Sequence, residues 1–281
     1  MTRPLNIACL QTRPMATAQA AIDEAVSLAE TAIGAGAQFL ALPEYCGGLK
    51  SEAGLFVPPA HSEDAHPVLR ELRRFAADRA IWLMIGSIAI SDQGGKYINR
   101  GYVIDPEGHI RSRYDKIHLF DVALATGEIY KESDAVTAGG KAVLVDVAGA
   151  LTGHTICYDL RFPGLYRDLA QAGAEILAVP AAFTKTTGEA HWHVLNRARA
   201  IENGAFVVAP CAIGPVDGGG EAYGHSLIID PWGRVLADGG DLPGVVQATI
   251  DLDQVAAVRA QIPSLTHDRP YRPVTPSRVV A

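Results

Sequence analysis

Cysteine is scarce in this 281-residue chain, and the four present, Cys9, Cys46, Cys157 and Cys211, stand far apart with no C-x-x-C pair. That spacing builds neither a disulfide scaffold nor a structural zinc site, so any special cysteine here is a candidate thiol nucleophile. A cationic excess is missing as well. Lys and Arg number 24 against 31 Asp and Glu, a net charge of −7, which argues against the phosphate neutralisation that nucleic-acid binding requires. Long apolar runs are also absent. The longest charge-free stretches, Thr31–Pro43 and Asn203–Val216, fall short of the ~18 residues of a membrane span, and both contain Gly and Pro. Arg3 is followed only by the brief apolar stretch Ile7–Leu10, too short for the core of a secretion signal, and a cytoplasmic location is expected. What the chain does have is 48% hydrophobic and 20% charged residues, enough to fill a large core and incompatible with disorder.

The chain repeats itself. Gly36-Ala-Gln-Phe-Leu-Ala-Leu-Pro43 and Gly173-Ala-Glu-Ile-Leu-Ala-Val-Pro180 each read as a helix stop at Gly, a short buried strand, and a Pro where the strand ends. Helical patterns precede them, Thr17–Ala32 with Thr17 as N-cap and Leu165–Ala172 with Pro163 suited to its start. Further on, helices over Val68–Asp78 and Trp192–Asn203 lead to buried strands at Ala80–Gly86 and Gly204–Pro210. Each copy then reaches a D-P-x-G hairpin turn, Asp105–Gly108 and Asp230–Gly233, followed by strands Ile110–Tyr114 and Val235–Ala237. An internal duplication is the simplest account. Runs such as Phe39–Leu42 need cover on both faces, and the economical solution is an α/β protein whose two sheets pack face to face with helices outside, a four-layer α-β-β-α sandwich. A single domain over residues 1–281 is expected, with an extended tail from about 264 whose segment Arg269–Pro276 carries three prolines and is either disordered or a docked arm.

Chemistry concentrates in three loops. Leu151–Pro163 runs from a strand into a helix and puts Cys157 at the strand's C-terminal end, where α/β folds build their sites. The helix start and Arg161 would stabilise a thiolate and lower its pKa; against this, most buried cysteines are inert small hydrophobes. His154, an odd number of residues away on the strand, points away from Cys157 and makes no dyad with it. His191 and His193 form an H-x-H at a helix start without a further ligand cluster, so no metal is expected. Gly224-His-Ser226 resembles a nucleophile elbow but lacks the closing Gly and precedes a strand. The other two loops, Leu42-Pro-Glu44 and Tyr114-Asp-Lys116, also follow strands and would bring a carboxylate and an ammonium to the same rim as the thiol. Either residue alone reads as a solvated surface charge.

In this order, the L-P-E, Y-D-K-I-H-L-F and G-x-x-I-C-Y-D-L-R-F-P segments resemble the nitrilase (carbon-nitrogen hydrolase) superfamily over nearly the whole chain. Lys116–Asp121, Glu132-Ser133, Thr186–Trp192, Arg197–Glu202, Tyr223–Ser226 and Asp230–Gly233 are similar to the branch holding ω-amidase and deaminated glutathione amidase. The resemblance implies a cofactor-free cysteine amidase acting on a small-molecule amide, and a homodimer. It makes Cys157 the nucleophile, Glu44 the general base and acid, Lys116 with the Tyr158 N–H the oxyanion hole, and Glu132 a second glutamate, for which Glu128 competes. Arg161 would anchor a substrate carboxylate, unless it pairs with Asp159, and Phe183 and Thr187 would line the pocket. The Cys46-Gly-Gly48 and Val216–Glu221 loops differ from that branch and leave the substrate open. Nitrile or N-carbamoyl hydrolysis on the same fold, and a non-catalytic scaffold, are the alternatives.

Overall fold

In a computed structural model of the chain, residues 2–52, 55–125, 127 and 129–272 are described, Leu55 by its backbone only. Glu128 and the end of the proline-bearing tail lie outside them.

The short repeat strands are buried along their whole length, because alternate residues face different layers. Phe39 and Ala41 point to a central layer between two sheets, shared with Ile7, Met84, Ile176, Phe206 and Ile228. Leu40 points the other way, to the core beneath helices α1 (Ala18–Gly34) and α2 (Pro67–Arg79), with Ile22 and Leu72. Leu177 does the same under α3 (Pro163–Gln171) and α4 (Lys185–Asn203), with Leu169 and Trp192. Three apolar layers between four structural ones make the α-β-β-α sandwich.

The duplication extends to topology. One sheet has the order Gly244–Asp251, Pro4–Gln11, Phe39–Ala41, Trp82–Ser91, Tyr97–Ile104, Ile110–Asp115; the other has Val143–Val147, Ala150–His154, Ile176–Ala178, Phe206–Ala209, Leu227–Ile229, Val235–Asp238. In both, successive pairings are antiparallel, parallel, parallel, antiparallel and antiparallel. The edge strand of the first sheet, Gly244–Asp251, comes from the far end of the chain and pairs with Pro4–Gln11 from Pro4↔Asp251 to Gln11↔Gly244.

Local signals hold at most helix ends. The Thr17 hydroxyl accepts from the Ala20 N–H at 3.3 Å, Pro163 opens α3, and Gly204 closes α4 in the left-handed region. The second-copy helix, expected from Trp192, begins at Lys185 instead and includes Gly188 and Glu189. The glycine is there for packing: a Cβ on Gly188 would come within 2.3 Å of Tyr223 Cγ. Beyond Pro263, Asp268 accepts from Arg167 at 2.5 Å and from Gln171 at 2.7 Å, so this part of the tail docks on α3. Among the described residues, no helix is long and apolar enough to cross a membrane.

One irregularity positions a loop. The strand Trp82–Ser91 shifts register against its neighbour between Ile85 and Ile88, a bulge of the kind that re-aims side chains at sites. There the Ser87 N–H donates to Pro43 O at 3.3 Å and the Ser87 hydroxyl accepts from the Tyr45 N–H at 2.9 Å. Gly86 permits this approach, since a Cβ would stand 2.1 Å from Leu42 O. Gly86→Ala is therefore expected to cost on the order of 1–3 kcal/mol in urea denaturation and to reduce turnover by displacing Glu44. An unchanged unfolding midpoint would show that the contact has slack.

Candidate active site

Glu44 follows the Phe39–Ala41 strand, Lys116 follows Ile110–Asp115, and Cys157 opens a short 3-10 helix, Cys157–Arg161, just after Ala150–His154. All three are buried. Cys157 has a left-handed backbone, φ 48°, and its N–H is tied to Pro180 O at 2.9 Å. Strain of this kind persists only where the surroundings over-determine it.

Lys116 lies between two carboxylates. Its Nζ donates to Glu44 Oε1 at 2.8 Å and to Glu132 Oε1 and Oε2 at 3.0 and 2.8 Å. Two anions and one cation in a dry site need further donors, because a buried ion pair is tolerable only when its remaining lone pairs are satisfied. Asn99 Nδ2 donates to Glu44 at 2.9 Å and to Glu132 at 3.3 Å, the Ala182 N–H to Glu44 Oε2 at 2.9 Å, the Phe120 N–H to Glu132 at 2.7 Å and the Tyr45 hydroxyl to Glu132 at 3.1 Å. Burial alone would discharge Lys116, but the Glu132 and Glu44 carboxylates outweigh it and hold the ammonium well above the usual lysine range.

The thiol behaves opposite to the sequence expectation. Burial, then the adjacent Glu44 carboxylate, push the Cys157 pKa well up, with Lys116 opposing. The expected helpers do not act. The helix is a single short 3-10 element whose first N–H is spent on Pro180, and the Arg161 guanidinium stacks on the rings of Tyr158 and Phe183, 5.8 and 5.5 Å from their centroids. The resting thiol is thus protonated and shares its cavity with the Glu44 carboxylate, the arrangement of a nucleophile awaiting its base.

Asp159 ties the lysine loop to the cysteine elbow. Fully buried, it accepts from Tyr114 Oη at 2.6 Å, from the Ile156 N–H at 2.9 Å and from the His118 N–H at 3.0 Å, and lies 2.7 Å from His118 Nδ1. It is therefore not the ion-pair partner of Arg161, which has no carboxylate partner among the described residues and contacts His191 Nδ1 at 3.3 Å. Glu44, Tyr45, Phe56, Lys116, Phe120, Glu132, Cys157, Tyr158, Phe183 and Thr187 all line one cavity of about 350 Å³ including its open mouth. Glu132 therefore stands in the cavity, its competitor Glu128 lying outside the described residues, and Phe183 and Thr187 reach the cavity wall. Asn99, Tyr45, Ser87 and Asp159 were not anticipated; their roles arise from contacts between distant segments that no local pattern announces.

The remaining histidines divide. His154 stacks on Tyr114 with centroids 5.3 Å apart, and burial pushes its pKa down to about 3, consistent with no dyad. His193 corrects the sequence reading. It is accompanied by His225 and Asp238, a group of ligand-bearing side chains that folding assembles from three segments. Ser226 accepts from the Cys211 N–H at 2.9 Å, a structural contact.

A thiol, a carboxylate and an ammonium sharing the floor of a small pocket on a duplicated α-β-β-α sandwich define a hydrolase of the cysteine-nucleophile type. The chain belongs to the carbon-nitrogen hydrolase family, whose model matches residues 6–260. It is 40% identical to a deaminated glutathione amidase of Synechocystis over 94% of this chain and 98% of that one. It is 34% identical to the human omega-amidase NIT2 over 88% and 89% of the two chains. Among solved structures, the Caenorhabditis elegans NitFhit protein superimposes with a TM-score of 0.86 at 31% identity, covering 95% of this chain and 66% of that one.

The charge arrangement has a consequence with a definite sign. Glu44→Gln removes an anion that raises the thiol pKa and leaves Lys116 to lower it. Turnover should fall by about 10²–10⁴-fold with the loss of the base. The pH midpoint of Cys157 alkylation by iodoacetamide should meanwhile move down. An upward shift, or labelling of Cys9, Cys46 or Cys211 that tracks inactivation, would contradict the arrangement.

Proposed function

We propose that the chain is a cysteine-dependent amidase that hydrolyses the amide of a small carboxylate-bearing molecule through a thioester. The observation that carries this reading is the position of Glu44, hydrogen-bonded to the Lys116 ammonium and lining the same cavity as the Cys157 thiol whose proton it holds in place by its charge. Glu44 takes the thiol proton as sulfur attacks the amide carbonyl. The oxyanion that forms is stabilised by Lys116 and the Tyr158 N–H. Glu44 then protonates the departing amine or ammonia, leaving an acyl thioester on Cys157. Water, deprotonated by Glu44, attacks the thioester, and the collapse of the second tetrahedral adduct releases the acid and returns the proton to sulfur. Glu132 fixes Lys116 and, by sharing its charge, prevents Lys116 from forming a closed pair with Glu44 alone. The steps use a base, a nucleophile and a fixed cation, all supplied by the protein.

The substrate class rests on Arg161. A guanidinium lying over two aromatic rings of the pocket wall, itself outside the lining and with no carboxylate partner among the described residues, suits an acid group at the substrate's far end. A dicarboxylic acid monoamide and a deaminated glutathione fit this description, and relatives named omega-amidase and deaminated glutathione amidase support it.

Ammonia or amine release from a panel of amides with and without a terminal carboxylate, alongside the matching nitriles and N-carbamoyl compounds, tests the assignment. Activity is expected on carboxylated amides and not on nitriles. Arg161→Lys keeps the charge but loses the planar fork, and should lower kcat/KM for the carboxylated amide by ~10²-fold while a neutral short amide changes much less. Equal losses on both would remove the acidic substrate class, and hydrolysis of nitriles alone would replace the amidase reading.

A further inference from the structure

The H-x-H of α4 splits between two neighbourhoods, because residues two apart on a helix face different ways. His191 meets Arg161, whereas His193 Nε2 lies 2.9 Å from Asp238 Oδ2. On the other side of the same carboxylate, His225 Nδ1 lies 2.8 Å from Asp238 Oδ1. One ligand atom from each of the three residues lies within 4.8 Å of the others, and the imidazole centroids are 5.1 Å apart. Their side chains are 33%, 27% and 35% exposed, so an ion reaches them without opening the core.

The frame is built rather than incidental. His225 has a left-handed backbone, φ 51°, secured on both sides: its N–H donates to Gly240 O at 2.9 Å and its carbonyl accepts from Trp192 Nε1 at 2.7 Å. The Gly240 N–H orients Asp238 at 2.9 Å, and Tyr223 stacks on the His225 ring with centroids 4.7 Å apart. Bonds that aim ligating side chains in this way are what metal sites use around their ligands.

We propose that His193, His225 and Asp238 form a binding site for a divalent transition metal ion, zinc by the chemistry of the donors. Two imidazoles and one carboxylate suit zinc, cobalt or nickel, whereas calcium and magnesium favour oxygen ligands. Three protein ligands and a water complete a tetrahedron. Binding replaces the two imidazole–carboxylate hydrogen bonds with coordination and joins α4 to the Val235–Asp238 strand and the loop at His225. Six residues before His193, about 9 Å along the helix axis, α4 carries Thr187 of the pocket wall. None of the three ligands lines the pocket, so the ion would stand apart from the reacting atoms.

The active-site thiol and the Asp105, Glu107 and His109 side chains are rival zinc ligands, so uptake is measured on the full-length protein carrying Cys157→Ala and His109→Gln, by titration calorimetry with zinc chloride and by metal analysis after dialysis. One equivalent per chain is expected, with a rise in Tm in excess zinc and a four-coordinate absorption spectrum with cobalt. His193→Gln and His225→Gln, each in that background and each with an unchanged circular dichroism spectrum, should abolish uptake and the Tm rise. With Cys157 intact, His193→Gln should keep kcat/KM within about twofold. Absence of stoichiometric uptake by the protein carrying Cys157→Ala and His109→Gln, or uptake that survives both His193→Gln and His225→Gln in it, would overturn the site.

Discussion

A buried ammonium shared by two carboxylates is the constraint on which the rest of this site depends. Lys116 and its partners, Glu44 and Glu132, are all withdrawn from water. Removing one member of such a group leaves an uncompensated charge at a cost on the order of 3–5 kcal/mol. The network is therefore as much a folding requirement as a catalytic one. It also sets the sign of the thiol: the anion that keeps sulfur protonated at rest is, in the mechanism proposed above, the acceptor of its proton when a carbonyl arrives. A cysteine activated only by a helix start or an arginine would be a standing thiolate, exposed to alkylation and oxidation.

The duplicated fold brings these groups together because its two sheets present strand ends to a common rim. Glu44 and Lys116 come from the first copy, while Cys157 and the Ala182 N–H that holds Glu44 come from the second. The copies have diverged where it matters. Leu42-Pro-Glu44 in one corresponds to Val179-Pro-Ala181 in the other, so only one of the two repeat-strand ends brings a carboxylate to the site. Asp159 fixes the distance between lysine loop and cysteine elbow through groups 41 and 45 residues away in sequence. The bulge at Gly86 does the corresponding service for Glu44.

Much of this was legible in the sequence, for physical reasons that also mark the limits. The repeated octets were readable because doubly buried strands admit only apolar residues, and the layers followed from the need to cover both faces. Glu44, Lys116 and Cys157 were readable because each ends a strand in a distinctive loop. The Gly244–Asp251 strand was not, since its place in the first sheet depends on pairing with residues at the opposite end of the chain. The start of α4 was misplaced because Gly188 breaks helices in isolation, and here it is retained for Tyr223. The thiol's pKa was misjudged because a sequence shows that a helix begins but not how deep its first residue lies or which carboxylate faces it. His193 looked solitary for the same reason: its companions, His225 and Asp238, arrive from other segments.

The most direct test of the central claim is intact-protein and peptide mass spectrometry after rapid mixing with a carboxylated amide substrate and acid quench. The native protein should carry the substrate's acyl mass, less its amine or ammonia, on the peptide containing Cys157. Lys116→Met, kept only if its circular dichroism spectrum is native, should leave that peptide unmodified because the oxyanion and the base lose their common cation. Acylation at another residue, or undiminished acylation of Cys157 without Lys116, would contradict the account.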